Sequence, residues 1–375
     1  MSRKLFTLSL TATLMGGTAY ADTPQVAVDI APVHSLVARV MDGVGTPDLI
    51  IQPGASPHEY SLRPSEAAAL QNSDLVFWIG PDLIPWLTDT IETLAKDASV
   101  TTLLDLDGTV QLDFRESALF EVHDHKDHDD HDDHDDHDDH DDHDDHDDHD
   151  DHDDHDDHDD HDDHDDHDDH DDHDDHDDHD DHNDHNDHDD HDDHDVTAGH
   201  DKHDHGDHDP HAWLSPKNAM TWLNVIAGQL SAVDPDNAGT YFANAAAGRT
   251  EIELLIGEVT ATLDRVRGGS FIVFHDAYQY FEMDFNFPAS GAISVSDASD
   301  PSPARITEIR DRIAKQGIDC VLAEPQFNPD LIATVLDGTD AQTGILDPLG
   351  SDLEPGSSLY HELIRNMSTA LASCM

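Results

Sequence analysis

A segment of 86 residues in this chain cannot take part in a folded core. Residues 123–208 hold 29 of the 34 histidines, and from His128 to His194 a histidine recurs at every third position with Asp-Asp or Asn-Asp between. The repeat has no apolar side chain to bury and carries dense negative charge, so we expect it to be disordered. Imidazoles among carboxylates favour zinc, copper and nickel. We interpret the segment as many weak metal sites, the alternative being a solvated tail without a role.

The net charge of the chain limits the kinds of partner that it can bind. Residues 123–209 contribute −47 of the formal net charge of −70, and the rest of the sequence is still acidic. It has no cluster of lysine or arginine residues. Binding to nucleic acid or to an anionic membrane surface needs positive charge, so neither is expected as a partner.

The first 21 residues have the pattern of a cleaved signal peptide. Arg3 and Lys4 precede an apolar stretch, and Ala19-Tyr20-Ala21 matches an A-x-A cleavage site. The apolar stretch is too short to span a bilayer. We therefore expect an exported, soluble protein that begins at Asp22, the alternative being an uncleaved N-terminal anchor.

Short apolar runs alternate with helical patterns in the remaining sequence. This alternation occupies residues 22–122 and 209–234, which we assign to a first lobe, and returns in residues 268–375, which we assign to a second lobe. Between them, residues 235–267 contain no proline after the first position, and Gly268-Gly269 ends the pattern, which predicts a single linking helix. The expected fold is α/β, with two parallel-sheet lobes joined by one long rigid helix and a disordered His/Asp-rich insertion.

Two cysteines, Cys320 and Cys374, remain in a chain that we expect to be exported. Disulfides persist in such compartments, and an even count favours one bridge that would fix the C-terminus. Two buried free thiols are the alternative.

Four side chains are candidate metal ligands. His58 follows a predicted strand and a turn-rich loop, His211 lies in a turn, His275 follows the strand 271–274, and Asp347 follows another strand. Ligand sites of open α/β sheets lie where such carboxyl ends converge. Three imidazoles and a carboxylate form a tetrahedral shell that suits zinc. Each histidine could instead have a purely structural role.

Five segments of the chain resemble a known family, the periplasmic zinc-binding proteins of ABC uptake systems (the ZnuA family). They are PGASPHEYSLRPS (53–65), DPHAWLSP (209–216), FHDAYQYF (274–281), AEPQF (323–327) and LDPLG (346–350). The resemblance covers almost the whole chain outside the insertion, and a charged, His-rich loop before the second ligand histidine is itself a feature of the family.

The resemblance implies a periplasmic solute-binding protein that captures Zn²⁺ in an interlobe cleft and delivers it to the membrane permease of an ABC transporter. It carries the ligand role onto His58, His211 and His275. Asp347 matches a carboxylate that ligates the metal in manganese-binding relatives. Glu324 would either bond a ligand imidazole or make a structural hydrogen bond. The cysteine pair also resembles a bridge found in some members.

Other expectations and alternatives remain. We expect a monomer without catalytic residues or direct membrane insertion, in which His34 and His361 are structural. A protein of the same transport class that binds manganese or another divalent metal is one alternative. A zinc store or chaperone, in which the insertion is the main site, is a second. A zinc hydrolase is less favoured, because no His-x-x-x-His helix carries a glutamate as general base.

Overall fold

The protein is described by a computed structural model that covers residues 23–115, 120, 208–294, 301–327 and 329–375. The predicted signal peptide and the His/Asp-rich insertion lie outside these residues, except for His208. The elements of the described part alternate between strand and helix. In chain order they are β1 (Val26–Val28), α1 (Ala31–Val40), β2 (Asp48–Leu49), α2 (Pro64–Asn72), β3 (Leu75–Trp78), α3 (Leu87–Leu94), β4 (Ser99–Thr102), α4 (Pro216–Val233), α5 (Ala238–Leu263), β5 (Phe271–His275), α6 (Gln279–Phe285), β6 (Ala292–Ser294), α7 (Pro303–Gln316), β7 (Cys320–Ala323), α8 (Pro329–Leu336), β8 (Gln342–Ile345) and α9 (Leu359–Cys374).

The strands form two four-stranded sheets with the same topology. The first has the order β2-β1-β3-β4 and the second the order β6-β5-β7-β8. Every pairing in both sheets is parallel. The central strands β1, β3 and β5 are buried along their whole length and β7 is buried up to Ala323, as expected of strands covered by helices on both faces. The predicted α/β fold with two parallel sheets is therefore confirmed.

Local sequence signals set the helix ends. The side chain of Ser215 accepts a hydrogen bond from the backbone N–H of Asn218 at the start of α4, and Pro216 occupies the first turn. Ser302 caps α7 in the same way, and Gly317 ends it with a φ of 65°. A left-handed residue at this position suits glycine, which has no Cβ.

The longest helix, α5, contacts both halves of the fold. It packs on α1 and α4 of the first half and on α6 and α9 of the second. Its 26 residues extend about 39 Å at 1.5 Å per residue. The α-helical part is shorter than the predicted 235–267, because 3-10 turns at Pro235–Asn237 and Asp264–Val266 form its ends. Such tight turns are common where an α-helix begins or ends.

One apolar core runs through both halves, and a disulfide fixes its C-terminal part. The core combines strands of both sheets with α1, α4, α5 and α9. Cys320 in β7 is bonded to Cys374 at the end of α9, with 5.7 Å between their Cα atoms. The predicted bridge is therefore present, and it ties the last helix to the second sheet.

Candidate metal centre

The three candidate histidines line one pocket. His275 is the last residue of β5, His211 immediately precedes a 3-10 turn that leads into α4, and His58 lies in the loop after β2. The pocket encloses about 300 Å³, part of it open to solvent, and has room for an ion with a solvent molecule. The lining residues are Ser56, Pro57, His58, His211, Trp213, His275, Glu324, Gln326, Phe327, Pro348 and Leu349.

His211 is oriented by a carboxylate two residues earlier in the chain. Oδ1 of Asp209 lies 2.7 Å from Nδ1 of His211 and accepts its backbone N–H at 3.0 Å. Both side chains are buried. A carboxylate acceptor places the proton of the ring on Nδ1 and leaves the lone pair of Nε2 facing the pocket.

His275 has the same arrangement with a different partner. Oε1 of Glu324, which follows β7, lies 2.7 Å from Nδ1 of His275 and 3.3 Å from its backbone nitrogen. Because β5 and β7 are neighbouring parallel strands, their carboxyl ends bring these two residues together. The sequence left two roles open for Glu324, a bond to a ligand imidazole or a structural hydrogen bond. In the structure its carboxylate lies against the imidazole ring of His275.

The two Nε2 atoms face each other at a distance that suits one shared ion. They are 3.4 Å apart, and the ring centroids are 5.3 Å apart. Two imidazoles on one tetrahedral zinc, with Zn–N bonds of 2.0–2.1 Å, have their nitrogens about 3.3–3.4 Å and their centroids about 5 Å apart. With both protons on Nδ1, two lone pairs point at the same space, which favours a cation there.

His58 lies across the pocket from this pair. Its ring centroid is 6.2 Å from that of His211, about 1 Å beyond the separation expected on a shared zinc. In the described part of the chain, no three His, Cys, Asp or Glu side chains are already close enough to form a metal shell. The indole N–H of Trp86 donates to the carbonyl oxygen of Pro57 at 3.0 Å and fixes the adjoining loop. Because the excess separation is only about 1 Å, a small movement of the His58 side chain would bring all three imidazoles onto one ion.

Asp347 is placed beside the pocket and is not among its lining residues. Its Oδ1 accepts the backbone N–H groups of Leu349 and Gly350 at 2.9 and 3.0 Å. The backbone N–H of Ser351 donates to Oδ2. These bonds stabilise the turn after Leu346, so the carboxylate is engaged by the backbone in this geometry. Its role as a ligand stays a prediction.

A buried acidic cluster lies behind His211 and His275. Arg115 pairs with Glu282 at 2.9 Å and with Asp276 at 3.5 Å. Burial raises the pKa of Asp209 to about 7 and that of Asp276 to about 7, and the positive charge of Arg115 opposes both shifts. Burial also raises the pKa of Glu282. The carboxyl group that orients His211 is therefore half ionised near pH 7 and becomes more fully ionised as the pH rises.

Sequence reasoning missed two polar residues at the site, Asp209 and Gln326. Asp209 carried a signal, because an aspartate two residues before a histidine in a turn can bond its own backbone. Gln326 carried none apart from its place in the AEPQF segment. His34 and His361 are absent from the pocket lining, and His34 bonds the carbonyl oxygen of Pro47 at 3.0 Å.

Comparison with known sequences identifies the family. The sequence model of the family described as "Zinc-uptake complex component A periplasmic" (ZnuA) matches residues 26–374. The chain belongs to this family. It is 42% identical to the high-affinity zinc uptake system protein ZnuA of Brucella abortus over 360 residues, which cover 96% of this chain and 94% of that protein. The ZnuA protein of Paracoccus denitrificans is 43% identical over 358 residues, which cover 95% and 93% of the two chains.

Solved structures share the fold of this ZnuA-family chain. A crystal structure of a ZnuA protein superposes with a TM-score of 0.64 at 18% identity, covering 94% of this chain and 99% of the other. A zinc-bound ZnuA deletion mutant gives 0.62 at 18% identity, covering 94% and 98% of the two chains. The resemblance to zinc-uptake solute-binding proteins is thus confirmed, and the relatives are transport proteins. Among the described residues, none of the helices combines the length and apolar character needed to cross a bilayer.

Proposed function

We propose that this protein captures Zn²⁺ in the periplasm with His58, His211 and His275 and delivers the ion to the membrane permease of an ABC transporter. The observation that carries the proposal is the pair of facing Nε2 atoms of His211 and His275, 3.4 Å apart. Each ring is held by a buried carboxylate on Nδ1, so both present a lone pair to the same point. This is the geometry that a tetrahedral zinc ion needs from two of its ligands.

The donor set favours zinc over manganese as the cargo. Imidazole nitrogens suit zinc, whereas Mn²⁺ takes mainly oxygen ligands. A structural neighbour with a TM-score of 0.63 and 15% identity is described with Mn²⁺, so the fold alone does not select the metal. Asp347, the carboxylate that the sequence adds to the three histidines as a candidate ligand, accepts backbone N–H groups, and we assign the fourth position to a solvent molecule.

The remaining parts of the proposal rest on the sequence analysis. Residues 1–21 are the signal peptide, residues 22–122 and 209–234 the first lobe, residues 235–267 the linking helix and residues 268–375 the second lobe. The protein acts as a monomer. Its insertion, residues 123–208, concentrates zinc near the pocket through many weak imidazole sites. A store in which the insertion is the main site, and a hydrolase, have no specific observation in their favour.

Alanine substitution at each ligand tests the proposal. Loss of one of three imidazoles from a site with few other donors should weaken zinc binding by orders of magnitude. Zinc affinity is measured by competition with a chelator for His58→Ala, His211→Ala and His275→Ala. His34→Ala and His361→Ala are matched controls, because both histidines are absent from the pocket lining. Wild-type affinity in all three ligand variants would place the site elsewhere.

A further inference from the structure

The amide of Gln326 has one end engaged and the other end open. Nε2 donates to Oγ of Ser351 at 3.0 Å and lies 3.5 Å from Oδ1 of Asp347. Oε1 is buried and has no hydrogen-bond partner among the described residues. The neighbouring carboxylate sets the orientation of the amide, because turning it over would point Oε1 at a negative charge.

This open acceptor belongs to the metal pocket. In the described part of the chain, Gln326 is the one lining residue of the pocket that has a buried side-chain atom without a partner. Five of the other ten lining residues offer no free side-chain donor: Pro57, Phe327, Pro348 and Leu349 are apolar, and the indole N–H of Trp213 donates to the carbonyl oxygen of Pro348. A buried amide oxygen left unpaired costs free energy, so a donor is expected there.

We propose that Gln326 holds the solvent molecule that completes the coordination of the zinc ion. The inference rests on the proposed function, since it needs the ion on the three histidines. A metal-bound water is a strong hydrogen-bond donor because the cation polarises its O–H bonds. The amide oxygen of Gln326 accepts that bond, and because an amide does not titrate near neutral pH, it stays an acceptor as the pH changes. Asp347 contributes through Gln326, by holding Nε2 away from the ion.

Gln326 acts as a positioning residue, so its removal should change the coordination geometry of the ion as well as the affinity for zinc. Gln326→Met keeps the length of the side chain and removes the acceptor. Loss of a partner of this kind lowers metal affinity about 10- to 100-fold. We expect that loss for zinc, together with a change in the visible absorption of the Co²⁺-loaded protein, which reports the coordination geometry.

Two further variants separate this role from a structural one. Gln326→Asn keeps an amide but draws its oxygen back by one methylene group, so it should also lose zinc affinity and alter the Co²⁺ spectrum. Ser351→Ala removes the Nε2 partner and leaves Oε1 in place, so its zinc affinity and Co²⁺ spectrum should stay close to wild type. Melting of the metal-free proteins shows whether Gln326→Met is folded. If that variant is unfolded, the same measurements on Gln326→Asn, compared with wild type and Ser351→Ala, decide the matter.

The outcomes distinguish this inference from the proposed function. Wild-type zinc affinity and an unchanged Co²⁺ spectrum in Gln326→Met would overturn the role of Gln326 and leave the three-histidine site intact. A loss in Ser351→Ala as large as in Gln326→Met would also overturn it, because the effect would then come from disturbing the side chain and not from removing the acceptor. If His211→Ala and His275→Ala bind zinc as the wild type does, the proposed function itself has failed.

Discussion

Asp209 offers a perturbation that keeps shape and removes charge. Asp209→Asn retains an oxygen where Oδ1 accepts the N–H groups of His211 at 2.7 and 3.0 Å. A hydrogen bond to a charged group contributes about 1.5–3 kcal/mol and a neutral one about 0.5–1.5 kcal/mol. The difference, about 1–1.5 kcal/mol, corresponds to a loss of roughly 5- to 12-fold in zinc affinity. A further loss is expected where the amide NH₂ turns towards Nδ1 and moves the ring proton to Nε2.

The same substitution should change the pH dependence of binding. Burial raises the pKa of Asp209 to about 7, and a bound cation favours its ionised form. Zinc affinity of the wild type should therefore fall as the pH is lowered through about 7, because protons and the ion compete. Protonation of the ligand imidazoles adds to this fall at lower pH. In Asp209→Asn the contribution of the carboxylate is absent, so the curve between pH 8 and pH 6.5 should be flatter.

The assay is competitive zinc titration from pH 5.5 to pH 8.5. Asp234→Asn is the matched control, because Asp234 is also a buried carboxylate but bonds Asn237 and Tyr241 and does not line the pocket. It should leave zinc affinity unchanged. Equal affinities and equal pH curves for wild type and Asp209→Asn would refute the orienting role of Asp209.

Three further predictions concern stability and the insertion. Burial raises the pKa of Asp209 and that of Asp276 to about 7 in the folded protein, above the 3.8 that is usual for an aspartate, so the metal-free protein should lose stability as the pH rises from about 4 to about 7. Urea unfolding at pH 5 and pH 8 checks the sign, and equal midpoints would contradict it. Cys374→Ser removes the disulfide between two residues that lie 54 positions apart. The free energy of unfolding should fall by about 4 kcal/mol relative to the oxidised wild type. An unchanged free energy of unfolding would mean that the bridge does not constrain the unfolded chain. Deletion of residues 123–208 should leave one tight zinc site and reduce the total zinc bound, counted by elemental analysis; loss of the tight site would show that the insertion supplies a ligand.

The sequence predicted the elements of the fold well because their signals are local. Helices α2, α7 and α8 each begin at a proline in the first helical turn, a start signal that the sequence shows directly. Strand β2 spans only Asp48–Leu49, although its apolar run continues to Ile51, because at the edge of its sheet it pairs with β1 alone. Pairing of this kind depends on tertiary register, which local apolar content does not specify.

The sequence predicted those residues of the candidate site that lie at the carboxyl ends of strands. His275 and Glu324 directly follow buried apolar runs, and the parallel order of β5 and β7 then brings them together. Asp347 also follows a strand, but backbone N–H groups of the turn after it engage its carboxylate. The open amide oxygen of Gln326 depends on where Ser351 and Asp347 lie, which only the folded chain shows.

The central claim is that one zinc ion binds to His58, His211 and His275. The most direct measurement is an anomalous difference map at the zinc edge, from crystals of the zinc-loaded protein. We predict one strong peak in the pocket, about 2.0–2.1 Å from Nε2 of His211, from Nε2 of His275 and from a ring nitrogen of His58, with a fourth ligand from solvent. A strong peak that leaves any of these three rings uncoordinated would contradict the account.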